Sequence, residues 1–198
     1  MSCRTPQRSD NRRPVIVVSG PPGSGKSTYA RRLARDFCLD YLTTGDIFRS
    51  IAREKGLTLE ELSRLAEEDP SIDLRIDETT LKKSAAGGVV IDSHLAGWVL
   101  ANIADVRILV QAGFPTRVER IAGREGRPIE EVLAETGTRE FSQWNRFREY
   151  YGYDTSLCAA FDLVIDNSVL GVEDTYRVIK GYVESKLRAL GYEFESPQ

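Results

Sequence analysis

Gly20-Pro21-Pro22-Gly23-Ser24-Gly25-Lys26-Ser27 matches the pattern G-x-x-x-x-G-K-[ST] at every fixed position. The residues on either side suit it. Val15-Ile16-Val17-Val18 is a β-branched apolar run that reads as a short buried strand, and beyond the loop Ala30, Leu33, Ala34 and Phe37 recur at helical spacing. Glycines let the backbone turn tightly and approach a polyphosphate with its N–H groups pointing inward. The helix N-terminus adds the positive end of its dipole, Lys26 reaches the terminal phosphates as a point charge, and the Ser27 hydroxyl is placed to ligate Mg²⁺.

Working outward, Asp40-Tyr41-Leu42-Thr43 reads as a second strand, followed by a helix from Thr44 that ends near Gly56. Thr58 and Glu61 form a capping-box pair for a helix whose Leu59, Leu62, Leu65 and Ala66 share a face. Pro70 opens another helix, through Ile72, Ile76 and Leu81 to the Gly87-Gly88 stop. Val89-Val90-Ile91-Asp92 is an apolar run ending in a carboxylate, as in a central parallel strand, and Val106–Val110 is a fourth strand. A charge-rich helical stretch from Thr116 to about Tyr151 is expected to break near Pro128 and Gly137. Phe161–Ile165 is a fifth strand, and the last helix carries an apolar stripe of Val172, Tyr176, Ile179, Val183, Leu187 and Leu190. Strands separated by helices imply an α/β fold: a five-stranded parallel sheet sandwiched by helices, with ligands at the strand C-termini. That places Gly20–Ser27, Thr44–Arg49 and Asp92–His94 around one crevice.

With 198 residues and no long apolar run, one domain over residues 14–190 is expected, without a membrane partner. The net charge of −3 argues against general affinity for nucleic acid. Residues 1–13, with Arg4, Arg8, Arg12 and Arg13, read as a disordered basic tail, and 191–198 as a frayed end. Cys3, Cys38 and Cys158 are far apart and read as reduced thiols of a cytoplasmic protein, without a disulfide or zinc site.

Several motifs, in order, resemble the nucleoside monophosphate kinases, most closely the short archaeal-type cytidylate kinases. Besides the phosphate loop these are Thr44-Gly45-Asp46-Ile47-Phe48-Arg49 with Ala52–Gly56, Ala66-Glu67-Glu68-Asp69-Pro70, Leu95-Ala96-Gly97-Trp98, Arg120-Ile121-Ala122-Gly123-Arg124-Glu125-Gly126, and Arg146-Phe147-Arg148-Glu149-Tyr150-Tyr151-Gly152. The likeness runs from about Val15 to Leu187. It implies that the five-stranded parallel sheet is of the P-loop kinase type, with a phosphoryl acceptor segment at about 44–86 and a lid at about 124–152.

By this resemblance Gly20 to Thr28 and Arg120 hold ATP, with Arg120 over adenine. Thr44, Gly45, Asp46, Arg49 and His94 face the acceptor, and the Arg49 guanidinium grips its phosphate through two parallel hydrogen bonds. Lys26, Arg124, Arg139 and Arg146 surround the transferring group, the last two from the lid, while Arg117, Arg127 and Arg148 remain surface residues interleaved with glutamates. Asp92 is either the acid that positions Mg²⁺ with Ser27 or an N-cap for the next helix. Asn167 and Ser168 lie where such folds touch adenine. Many cytidylate kinases carry arginine at the position of His94, which here is an acceptor contact or a structural residue, with base catalysis a third option. The implied reaction is ATP-dependent phosphorylation of CMP or dCMP by a monomeric, Mg²⁺-dependent enzyme. The alternatives are an adenylate kinase-like enzyme acting on AMP and, in another class, an ATP-binding switch or assembly factor.

Overall fold

The computed structural model describes residues 5–154 and 158–194. Its centre is a sheet of β2 (Val15–Ser19), β3 (Asp40–Thr43), β4 (Val89–Ser93), β5 (Val106–Gln111) and β6 (Leu163–Asp166), in the order β3-β4-β2-β5-β6. Every pairing is parallel. All five residues of β2 are buried, and the pleat sends them to opposite faces. Ile16 and Val18 join the layer of α1 (Lys26–Asp36) and α8 (Val172–Ala189), where Tyr29, Ala30, Leu33, Ile179, Val183 and Leu187 pack. Val15 and Val17 face the other side, against Ala96 and Leu100 around the short helix α5 (Ala96–Val99).

The acceptor-side insert is α2 (Thr44–Lys55), α3 (Leu59–Glu68) and α4 (Ser71–Ala85), with its own cluster of Ile51, Ala52, Leu62, Ala66 and Ile72. The Thr58–Glu61 capping box forms in both directions, at 3.1 and 2.8 Å. Leu59, expected on the apolar face, is half exposed. The two ends of the last stripe, Val172 and Leu190, are exposed too.

Three expectations need correction. The long helical stretch breaks only once, into α6 (Phe114–Glu125) and α7 (Ile129–Tyr151), at the left-handed Gly126 and Pro128. Gly137 stays inside α7. A mid-helix glycine costs about 1 kcal/mol, and α7 offsets this by packing Val132 against Val118, Ile121 and Ala122 of α6 and its other end against α3 and α4.

The described parts of the termini are folded rather than frayed. β1 (Pro6–Gln7) pairs antiparallel with β7 (Glu193–Phe194), Tyr192 is buried, and Phe194 sits 5.8 Å from Phe37. Each strand alone is too short to read from its sequence, and only their pairing stabilises them.

Cys38 is disulfide-bonded, against the expectation of reduced thiols. It occupies a left-handed turn with φ 49° just after α1, where Arg13 of the N-terminal segment donates to its carbonyl at 2.6 Å. Separation in sequence, on which the expectation rested, does not measure separation in space. Cys3, residues 1–4 of the expected tail and residues 195–198 lie outside the described residues. Among the described residues no helix is long and apolar enough to cross a membrane.

Candidate active site

The phosphate loop lies between the C-terminal end of β2 and α1, at the centre of the sheet. Glycine is required where the loop touches its neighbours. A Cβ on Gly20 would sit 2.2 Å from the Val110 carbonyl oxygen, and one on Gly23, at φ 79°, 2.6 Å from that of Arg117. Two side chains grip the loop from behind. Arg117 Nη1 donates to the Pro22 carbonyl at 3.0 Å, and Asn167 Nδ2 to the Ser24 carbonyl at 2.9 Å. Among the described residues no peptide bond is cis, and C=O and N–H point in opposite directions across a trans peptide. Holding those two carbonyls therefore turns the amides of Gly23 and Gly25 the other way.

Lys26 stands over this loop, with Nζ 3.4 Å from the Pro21 carbonyl. Burial pulls its pKa below the ordinary lysine value; the Asp92 carboxylate opposes the shift, and the charges of Arg139, Arg124 and Arg117 reinforce it. Asp92, Arg139, Arg124 and Arg117 are thus near enough to act on the Lys26 ammonium. Arg139 has no hydrogen bond or ion pair among the described residues, whereas the exposed Arg124 pairs with Glu125 at 2.5 Å. Arg120 is fixed on Asn167, donating to its side-chain and main-chain oxygens at 2.8 Å each.

The acceptor segment starts one strand away, since Thr43 at the end of β3 is in register with Asp92. The Thr43 hydroxyl caps α2 by accepting from the Gly45 amide at 3.3 Å. Arg49 leans back over that first turn, with Nη2 2.6 Å and Nε 3.2 Å from Oδ1 of Asp46. Its side chain remains about half exposed, and that of Asp46 more so. Such an exposed i,i+3 pair contributes little to stability and is easily exchanged for a better anion.

His94 follows β4. Its Nδ1 lies 3.0 Å from Oε1 of Gln143 on α7, and its ring meets Phe147 edge-on at 5.4 Å. Burial, then the Lys26 cation, push its pKa down to about 4, so the imidazole is neutral near pH 7. Four more contacts carry α7 across the cleft. Arg146 Nη1 meets Asp73 Oδ2 at 2.9 Å, Tyr150 donates to the Glu67 carbonyl at 2.6 Å, Tyr151 donates to Asp77 at 2.5 Å, and Ser142 bonds Glu67.

Comparison with known proteins decides the family. A cytidylate kinase from Aeropyrum pernix is 60% identical over 82% of this chain and 95% of its own length. One from Staphylothermus marinus is 48% identical over 88% and 98%. The chain belongs to the cytidylate kinase family.

A family profile described as an AAA domain also matches residues 19–136. At the level of fold, shikimate kinase from Acinetobacter baumannii superposes with a TM-score of 0.54 at 18% identity, covering 87% of this chain and 93% of that one. TT1252 from Thermus thermophilus superposes at 0.56 with 22% identity, covering 88% and 98%.

Within this cytidylate kinase fold the residues present suit a magnesium ion carried in on a nucleotide. Asp92 is 2% exposed, and its Oδ1 is buried without a hydrogen-bond partner while Oδ2 accepts from Tyr41 at 2.7 Å. An orphaned buried carboxylate oxygen calls for a cation or a water. Among the described residues no three His, Cys, Asp or Glu side chains form a metal cage, and a magnesium held by phosphates needs only one or two protein oxygens.

The structure sets Asp92, Arg124 and Arg139 near enough to act on the Lys26 charge, and starts the segment Thr44, Gly45, Asp46 and Arg49 from the strand next to that of Asp92. It does not bring Arg146 there. That residue is buried with Asp73 between α7 and α4, because its position on the helix points to the acceptor insert rather than to the loop. Arg117 is not a surface residue: its side chain is 8% exposed and pairs with Glu140. Asn167, at 1% exposure, spends its side chain on the loop, Tyr29 and Arg120. Nothing in one sequence separates Arg117 from the arginines around it. Asn167, expected near adenine, follows the last strand of the sheet, which ends at Asp166, and its grip on the loop is not written in its sequence neighbours.

Proposed function

We propose that this chain transfers the γ-phosphoryl group of ATP to CMP, and to dCMP as a second acceptor, yielding ADP and CDP or dCDP. The observation that carries the proposal is the pairing of two different grips in one cleft. A main-chain anion cradle crowned by Lys26 adjoins, one strand away, a capped helix that presents Arg49. A switch that only binds ATP needs the first and not the second. The names of the similar proteins favour CMP over the adenylate kinase-like alternative.

In this reading the amides of Gly23 and Gly25, Lys26 and Ser27 hold the donor's phosphates, with Arg120 beside its base. Arg49 exchanges Asp46 for the acceptor phosphate and aligns an acceptor oxygen with the γ-phosphorus. The bond from that phosphorus to the β–γ bridging oxygen breaks as the new P–O bond forms, and ADP departs with the bridging oxygen. Lys26, Arg124 and Arg139 neutralise charge on the phosphoryl oxygens, and most of the acceleration comes from such positioning and electrostatics. Mg²⁺, held by Ser27 and Asp92 with the donor phosphates, would supply further charge neutralisation. No general base is required, because the acceptor oxygen is already anionic, and a neutral His94 fits an acceptor contact. The α6–α7 region acts as the lid, excluding water that would otherwise take the phosphoryl group. The working unit is a monomer in the cytoplasm.

The test is ADP formation from ATP with CMP, dCMP, UMP or AMP. Rapid turnover with CMP and dCMP supports the reading. AMP as the sole good acceptor, or equal ADP formation without any acceptor, overturns it.

A further inference from the structure

Arg117 distributes one guanidinium over three parts of the molecule. Nε donates to the Ala112 carbonyl at 3.0 Å, anchoring it to the segment that follows β5. Nη1 donates to Pro22 in the phosphate loop, and Nη1 and Nη2 together grasp the Glu140 carboxylate, the latter at 3.0 Å. A buried fork of this kind is strong and directional. Glu140 precedes Phe141 and follows Arg139 on α7, and the Arg139 charge acts on Lys26. Besides this pair, α6 and α7 meet through Val118, Ile121, Ala122 and Val132, with Phe114 packed against them and reaching Gly137, where an added Cβ would lie 3.9 Å from its ring. These contacts are apolar, and of all those named the Arg117–Glu140 pair alone also holds the phosphate loop.

We propose that the Arg117–Glu140 pair couples the phosphate loop to the lid helix, so that the orientation of the Pro22 peptide and the placement of Arg139 change together. Arg117 and Glu140 are thus positioning residues. A donor phosphate entering the loop pulls on the Gly23 amide, the other side of the peptide whose carbonyl Arg117 holds. Through Glu140 that pull reaches α7. The proposal rests on the phosphoryl-transfer reading for its consequences, although the coupling itself is measurable without turnover.

Trp144 lies one turn beyond Glu140 on α7 and is 38% exposed, so in a Trp98→Phe background, which removes the other tryptophan, fluorescence reports the lid helix. The experiment titrates wild type, Glu140→Gln and Glu140→Ala with Mg²⁺ and adenylyl imidodiphosphate. Affinity is followed by calorimetry, lid response by tryptophan fluorescence, and folding by circular dichroism. The expected result is affinity within about threefold of wild type while the fluorescence change falls at least threefold in Glu140→Ala and less in Glu140→Gln. Alongside it, the ratio of CMP phosphorylated to ATP hydrolysed falls about tenfold in Glu140→Ala, because a misplaced lid admits water. A folded Glu140→Ala, or Glu140→Gln should the alanine variant not fold, with wild-type fluorescence response overturns the coupling. A wild type that responds to the analogue but never phosphorylates a monophosphate instead overturns the functional reading.

Discussion

Tyr41 donates its hydroxyl to Oδ2 of Asp92 at 2.7 Å across the β3–β4 pairing, and Arg31 lies over the Tyr41 ring at 5.2 Å. Burial, then the Asp92 contact, raise the phenol's pKa above its ordinary value, so it remains a donor throughout the working range. One carboxylate oxygen is thereby immobilised and the other left for the cleft. Tyr41→Phe should raise the Mg²⁺ concentration for half-maximal activity about 10-fold, the usual effect of removing a partner that orients a metal-binding group. The KM for CMP at saturating Mg²⁺ should not move. An unchanged Mg²⁺ titration would show that Tyr41 does not orient this acid.

Lys26 is held in the cleft against its own solvation, since burial depresses its pKa. A lysine whose folded pKa is lowered destabilises the fold at all pH values where the unfolded chain is protonated, and the cost is relieved as pH rises towards the unfolded value. Lys26→Met should therefore lower kcat by about 10²- to 10³-fold or more, as for loss of a group that stabilises developing charge, while leaving the melting temperature equal or higher. Kinetics and thermal denaturation at pH 7 check both parts.

The contact between α4 and α7 should depend on pH through Asp77. Burial pushes its pKa up to about 6, partly offset by the Tyr151 hydroxyl. Between roughly pH 4 and 6 the folded state then holds more protons than the unfolded chain, so this group's contribution to stability decreases as pH rises through that window. Asp77→Asn should be nearly neutral at pH 4 and stabilise by on the order of 1–2 kcal/mol above pH 6. Urea denaturation of wild type and variant across pH 4–8 reads the difference, and a pH-independent difference would remove Asp77 as its source.

Cys38 carries a disulfide beside the turn that receives Arg13, at the edge of the body formed by β1, β7 and Phe37. Cys38→Ser should cost about 2–4 kcal/mol, seen as a lower melting temperature, with CMP phosphorylation at 25 °C unchanged because the site lies at the opposite end of β3.

The parts legible in the sequence are those whose cause is local. The phosphate loop, the Thr58–Glu61 capping box, the β-branched runs of β2, β4 and β5, the Gly56 helix end and the break near Pro128 each follow from a few adjacent residues. What was hidden depends on partners far along the chain. β1 and β7 exist only as a pair, Gly137 is tolerated because α7 packs against α6, α3 and α4, and Arg117 is buried because Glu140 and two carbonyls converge on it. The same holds within the site. Lys26 and Arg49 could be placed from motifs, whereas Arg146 pairs with Asp73 and not with the loop, and Asn167 joins Arg120 to Ser24. An arginine's sequence neighbours do not reveal which carboxylate it will meet.

The account stands on two nucleotides occupying adjoining halves of the cleft, so the decisive measurement is a crystal structure with Mg²⁺ and adenosine–cytidine pentaphosphate, a mimic of both joined. The account predicts the adenosine end beside Arg120, the phosphate chain over Gly20–Ser27 and the cytidine end ordered next to Arg49, with Arg49 released from Asp46. Density for the adenosine and three phosphates alone, with Arg49 still paired to Asp46 and nothing beside it, would contradict it.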